Sequence, residues 1–538
     1  MNKTDSIVIV GGGSAGWMSA ATLISLFPNK KITVVESPDV PIVGVGESTL
    51  GHIKDWLTMV GIKEEDFIAA VDGSYKMSIK FTNFYDTNSG SFHYPFGIPY
   101  LQGSPLGLNS WFLYKYLNPN VPVENFAENF FPAMQLINNN RFNENKDGEF
   151  DNFRPETDVA YHFDAIKFGA WLRDNFCRPR GVMLISDTVE MINKDSEGIT
   201  GLVTKNGTKI HADLFIDCTG FKSLLLSETL EEPFDSFEHI LPNNRAWATR
   251  IPYIDKEKEL EPYTNCTALG HGWVWNIPLW SRIGTGYVYS DKYIDPEIAL
   301  EEFKAHLRSK NMTVPDENRI NDSLEFKDIK FRVGIHKRTW VKNVVAIGLS
   351  SGFIEPLESN GLYTVHEFLR YLCKSIQRGK VSQWDRDVYN ASTRGVFENF
   401  AQFVALHYAL SRREDTRYWR DISERSFSKE MANLLPTKIG TFENVLQEKM
   451  FNNEYPHNTG PTYICAGMNY SPVDNTVVPL WELRNNDNYP ELNTYIRSIR
   501  EPLIDKWKKA ASESSSLYGY LLNKYYIEEE LKKDKPVK

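Results

Sequence analysis

A mixed α/β fold with a doubly wound, Rossmann-like core is what this sequence predicts, and three stretches carry the expectation. Residues 6–10 (SIVIV) are a short, β-branched apolar run of the kind that fills a buried parallel strand. The turn Gly11-Gly12-Gly13-Ser14-Ala15-Gly16 follows, then a helical stretch over 17–27 and a second strand, 32–35, closed by Glu36. Far along the chain a strand at 344–347 runs into GLSSGFIEPLESNG (348–361). After it Leu362, Val365, Leu369, Leu372 and Ile376 recur at helical spacing.

Taken in order, the glycine turn lets backbone approach a pyrophosphate at a helix N-terminus, and the acid after the second strand suits ribose hydroxyls. Gly11, Gly13, Ser14, Ala15, Gly16 and Glu36 are therefore candidate dinucleotide contacts. Gly44-Val45-Gly46-Glu47-Ser48-Thr49 reads either as a loop close to a ligand or as an ordinary turn. A helix is expected from 52 to about 60. Residues 74–81 alternate, so they read as one strand with Lys76, Ser78 and Lys80 on a single face; spacing alone makes Lys76 a solvated residue. The Asn-, Phe-, Pro- and Gly-rich span 87–155 reads as an irregular insertion rather than another sheet. Residues 160–165 lead into a helix, and 182–185 form a strand. In 202–210 the pair Asn206-Gly207 signals a type I′ hairpin. The strand 214–216 ends at Asp217-Cys218-Thr219-Gly220, a second place for a dinucleotide to touch backbone. In GWVWNIP (272–278) Trp273, Trp275 and Ile277 share one side, either as core aromatics or as a wall against a flat cofactor. The next strand of that sheet is expected at 287–290. The chain is then mainly helical from 361 to about 419, and 528–538 is a charged, solvated tail.

Composition narrows the class. A net charge of −10 argues against a general nucleic-acid binder, which needs a basic phosphate-contacting footprint. The five cysteines are an odd number without a C-x-x-C pair, which favours a reducing compartment and gives no zinc signature. No apolar run is long enough for a membrane span and no signal peptide precedes the glycine turn, so a cytoplasmic protein is expected. Neither G-x-S-x-G, H-E-x-x-H nor a P-loop occurs. His162, His366 and His407 lack metal-ligand spacing and read as hydrogen-bonded structural residues.

The glycine turn, Gly44-Val45-Gly46-Glu47, Tyr75-Lys76, Tyr161-His162-Phe163-Asp164-Ala165, the W-x-W-x-I-P pattern at 273–278, F-x-x-P-x-x-S-x-G at 353–361 and the segment 407–419 together resemble the flavin-dependent halogenase family, most of all its tryptophan-halogenase branch. The resemblance implies an FAD-binding core of the flavin monooxygenase type, with a second mixed sheet and a helical C-terminal substrate region. Residues 1–85 and 150–400 would form the core, 86–149 an insertion over the active site, and 401–538 the helical region.

The resemblance further implies that FADH2 and oxygen oxidise halide to hypohalous acid, which travels internally to Lys76. The lysine would hold it by a hydrogen bond or as a haloamine, while Glu358 orients it and takes the proton of the halogenated arene. By the same carry-over, Ser359 bridges Lys76 to the flavin region, and Asn360 and Gly361 hold the halide. Gly46, Glu47, Val189, Leu349 and Leu362 contact FAD, with Trp273 and Trp275 walling it off from substrate. Tyr94 and Phe96 line the substrate space. Many tryptophan halogenases carry Thr where this chain has Asn360, and often His where it has Tyr94. No C-terminal clamp for the amino-acid group of tryptophan is matched, so the substrate expected is any free electron-rich arene: an indole, a phenol or a related heteroarene. A separate flavin reductase is the expected transient partner, homo-oligomers are compatible with the motifs, and the alternative activity is aromatic hydroxylation by a flavin monooxygenase.

Overall fold

The β-branched run Ser6–Val10 has four of its five residues buried because it lies inside a six-stranded sheet, covered on both faces. The strand order is Met183–Ser186, Lys31–Glu36, Ser6–Val10, Leu214–Asp217, Val344–Ala346, Trp340–Val341. The first five run parallel and the last pairs antiparallel. The structure, a computed structural model, describes residues 2–40, 47–100, 118–320, 324–426, 460–469 and 500–528, with Trp111, Lys115, Ser498 and Leu531. Residues 44–46 of the second glycine loop, and most of the charged tail at 528–538, lie outside the described residues.

A second, seven-stranded mixed sheet has the order Lys327–Lys330, Arg245–Ile251, Ile283–Tyr289, Gly272–Pro278, Tyr263–Leu269, Ser78–Thr82, Ser91–Pro95. Its last strand falls within the span expected to be irregular. Phe92 and Tyr94 alternate with His93 and Pro95 and pair antiparallel with residues 78–82, so part of the supposed insertion is a sheet edge. The strand expected at 74–81 is two strands. Ser74–Lys76 pairs with Ala160–Phe163 in a small sheet, whereas Ser78–Thr82 joins the large one. The chain changes sheet at Met77, so the polar face of the alternation turns into the space between sheets. Lys76 and Ser78 are fully buried rather than solvated.

The 202–210 hairpin forms, but its turn is not type I′. The Gly207 N–H donates to the Thr204 carbonyl at 2.8 Å, and of the Asn206-Gly207 pair only Gly207 has positive φ. The helix after 359 spans Asn360–Ile376, and Leu362, Val365, Leu369, Leu372 and Ile376 are all buried as their spacing requires. It packs against the first helix, Ser14–Leu26, and against the long helix Gln383–Ala409, which starts from a Ser382/Asp385 capping box. Among the described residues no helix is long and apolar enough to cross a membrane, and no cluster of His, Cys, Asp and Glu could hold a metal. All five cysteines are unpaired.

Candidate active site

At the end of the Ser6–Val10 strand, backbone rather than side chain shapes a cradle. Gly11 has φ +115°, and a Cβ there would stand 2.2 Å from the Cys218 carbonyl oxygen; one on Gly16 would stand 1.9 Å from the Gly11 carbonyl oxygen. A Cβ on Gly12 would fall 2.3 Å from Cγ of Glu36. The glycines thus let the turn close between the 217–220 loop and Glu36. Gly13 starts the first helix in extended conformation without a side-chain cap, leaving a helix N-terminus facing the cradle. Glu36 pairs through Oε1 with the Arg173 guanidinium at 3.4 Å, while its Oε2 has no partner among the described residues and is open to a ribose hydroxyl. Gly348, at φ +75°, brings the turn carrying Leu349 against Ala15. The Val189–Asp195 strand begins just past Asp187, whose N–H donates to the Glu36 carbonyl. Of Glu47 only the backbone is described; it pairs with Phe163.

Across the molecule Lys76 sits in a second chamber, with no solvent exposure. Its Nζ donates to the Thr49 carbonyl at 3.0 Å and to Ser359 Oγ at 2.7 Å, and lies 4.9 Å from the centre of the Phe96 ring. Burial pushes the ammonium down to about 7, against the opposing pull of Cys266 and Glu358. Ser359 occupies the N-cap of the Asn360–Ile376 helix with φ +56°, a left-handed conformation costing a non-glycine residue ~1 kcal/mol or more. Its side chain does not cap the helix; it is turned to Lys76 instead. Asn360 follows, buried, with Oδ1 unpartnered among the described residues, while Gly361 is accessible.

Glu358 is buried, and burial raises its carboxyl above the ordinary range while His407 and Lys76 pull it back. His407 Nε2 lies 2.7 Å from Glu358 Oε1. This contact is what draws the Glu358 carboxyl back down against its burial. Nδ1 of the same ring faces the Phe403 carbonyl at 3.0 Å and must be its proton donor, so Nε2 is the nitrogen presented to the carboxylate. Tyr94 contacts Phe96 edge-on, with ring centres 6.2 Å apart, and packs against Phe403 and Tyr463.

Trp273 and Trp275, on the Gly272–Pro278 strand, have rings 6.1 Å apart and tilted by 58°. Trp273 Nε1 donates to Glu355 Oε2 at 2.8 Å, and the same buried oxygen accepts from Asn243 Nδ2 and from the Tyr408 hydroxyl. Gly286, across the strand pair from Trp275, leaves room for its ring: a Cβ there would stand 2.2 Å from it.

Lys76, Glu358, Ser359, Asn360 and Phe96 are thus gathered at one end, and Gly11, Gly16, Glu36 and Ala15 at the other. The sequence gives no hint that Glu355 fixes Trp273; His407 is hydrogen-bonded as expected, through the Phe403 carbonyl, and also meets Glu358. The position of Glu355 in the 348–361 motif was visible, but its partners come from residues 243, 273 and 408.

One chain thus holds a glycine cradle, a tryptophan pair and a lysine–carboxylate chamber, the motifs by which it resembles the flavin-dependent halogenases. The tryptophan halogenase family model matches residues 6–479, and the chain belongs to that family. It is 35% identical over 458 residues to tryptophan 6-halogenase ThaL of Streptomyces albogriseolus, covering 82% of each chain. To tryptophan 7-halogenase RebH of Lentzea aerocolonigenes it is 35% identical, covering 78% of each. Among solved structures, the apo structure of VirX1 superposes with a TM-score of 0.85 at 36% identity, over 97% of this chain and 100% of that one. These named relatives give the hydroxylase alternative no support. The cradle fits the family's cofactor: glycines where a Cβ would block the approach, an uncapped helix N-terminus for the pyrophosphate, and an acid with one oxygen free for the ribose, its other oxygen paired with Arg173.

Proposed function

We propose that this enzyme halogenates a free electron-rich aromatic molecule, an indole, a phenol or a related heteroarene, with Lys76 and Glu358 as its reacting groups. One observation carries the reading: Lys76 is a fully buried amine tuned to about 7, beside a buried carboxylate and a helix N-terminus. When bound, reduced FAD with oxygen supplies the oxidation of halide to hypohalous acid. Gly11, Gly13, Ser14, Ala15, Gly16 and Glu36 hold it, with Gly46, Glu47, Val189, Leu349 and Leu362 as further contacts. Trp273 and Trp275 keep the arene away from it, so that oxygen is not transferred to the substrate.

The chain's own groups do the rest. The first N–H groups of the helix, at Asn360 and Gly361, hold the halide. Lys76 receives the electrophilic halogen, as a hydrogen-bond donor in the ammonium form or a nucleophile in the amine form. Glu358 orients it and accepts the proton lost by the halogenated ring, and the contact with His407 favours the carboxylate. Tyr94 and Phe96 form an aromatic wall for the arene. Relatives are named for tryptophan, but Tyr94 and the unmatched C-terminal clamp favour a broader set of arenes. A separate flavin reductase supplies reduced FAD in transient encounters, and the five unpaired thiols favour the cytoplasm.

An arene panel supplied with chloride, bromide or iodide separately, a reductase and FAD tests this by product mass. Halogenated indole or phenol that requires halide and oxygen is expected. Hydroxylated product without a halide requirement would defeat the reading.

A further inference from the structure

The structure assigns Ser359, Ser48, Thr264 and His162 to a proton relay that leads from Lys76 into the core and sets when the lysine acts as an amine. The links are continuous. Lys76 Nζ donates to Ser359 Oγ at 2.7 Å, Ser359 Oγ is 3.1 Å from Ser48 Oγ, Ser48 Oγ is 2.6 Å from Thr264 Oγ1, and Thr264 Oγ1 is 2.9 Å from His162 Nε2. Every member is buried. In the relay's polarity each O–H points away from Lys76 and His162 Nε2 accepts, one of the arrangements the hydroxyls allow. Residues 48, 162 and 264 come from separate strands that converge here: Ser48 is the pairing partner of His162, and Thr264 lies on the adjacent sheet.

The chemistry gives such a chain two tasks, and this step rests on the function proposed above. Bonding halogen from hypohalous acid to Nζ turns the ammonium into a neutral haloamine and water. The N–H electron pair becomes the N–halogen bond, and the displaced proton needs a base; moved along the hydroxyls, it makes His162 an imidazolium. When the halogen leaves for the arene, nitrogen must regain a proton, and the relay returns it. The arenium proton then goes to Glu358. No electrons beyond those of the hypohalous acid are needed. The groups facing Lys76 are Cys266, Glu358, the Thr49 carbonyl and the Phe96 ring; those facing His162 are Lys76, Thr264 and the Pro278 carbonyl. Burial and the lysine charge hold His162 well below its ordinary value, so at rest the proton stays on Lys76, and the transfer is drawn only by bond formation at nitrogen.

Thr264→Val keeps the shape and removes the central hydroxyl; Thr264→Ser restores it. With reduced FAD and halide saturating, the Val variant should halogenate about 10-fold or more slowly below pH 7, the defect closing above about pH 8.5 where Lys76 is already an amine, and the Ser variant should recover most of the rate. In flavin-free protein, nitrogen NMR of the histidines, assigned with His162→Gln, should find His162 Nε2 as an acceptor in the wild type and changed in Thr264→Val. A uniform loss at every pH without rescue by Ser, or an unchanged rate throughout, overturns the relay. If the wild type makes no halogenated product, the functional reading fails instead, and the NMR signature still decides whether the chain exists.

Discussion

The cradle around residues 11–16 is shaped by side chains that are missing; the chamber around Lys76 is shaped by side chains that are buried at a cost. A Cβ on Gly11, Gly12 or Gly16 would collide with neighbouring atoms at 2.3 Å or less, so the glycines are what lets the turn close there. The chamber instead holds an amine, two carboxylates and an imidazole out of water, each kept by neighbours far apart in sequence. The difference teaches that a nucleotide site can be written into one short local motif. A reacting site whose pKa values are tuned needs burial, which only the assembled fold supplies.

Substitutions can break this contrast. The largest effect is expected for Lys76→Met, which should cost ~10³-fold or more in halogenation yet leave FAD binding intact, read by product mass and flavin titration. Its thermal stability should not fall. A lysine held near 7 when folded binds fewer protons than the unfolded chain between about 7 and its ordinary value, so the penalty it imposes is full below pH 7 and fades as pH rises. The stability gained by Lys76→Met should therefore be greatest below pH 7, which melting curves at several pH values would test.

Gly11→Ala is the converse experiment. With φ at +115° and a Cβ 2.2 Å from the Cys218 carbonyl, it should lose about 2 kcal/mol of stability and most flavin affinity. The surroundings of Lys76 should stay unchanged, so a variant that lost Lys76 tuning along with FAD would erase the distinction between the two regions. The smallest effect is expected for His407→Gln, about 10-fold in kcat. Without the imidazole that draws it down the Glu358 carboxyl rises further, so the acid limb of the rate profile should move to higher pH, measurable as rate against pH.

Much of the fold was legible before any coordinates. The strand–glycine turn–strand–acid order of 6–36 and the helical repeat from Leu362 to Ile376 are local patterns, and local patterns survive folding because period and backbone conformation cause them directly. The misreadings share one origin. Residues 74–81 alternate like a single strand, but they divide between two sheets, and the partner strands that divide them lie at 160–163 and 263–269. The strand at 91–95 was hidden because an edge strand is defined by its neighbour rather than by its composition.

The sequence by itself determined the nucleotide cradle, the amphipathic helix behind Ser359 and the family motifs that bracket the active site. Tertiary structure alone decided that Lys76 is buried rather than solvated, that Glu355 holds Trp273, and that His407 meets Glu358. It alone also aligned Ser359, Ser48, Thr264 and His162 into one line. The physical reason is that conformation is fixed by near neighbours along the chain, whereas desolvation and charge pairing are set by whatever the fold brings alongside. That turned a lysine reading as surface into an amine poised near 7.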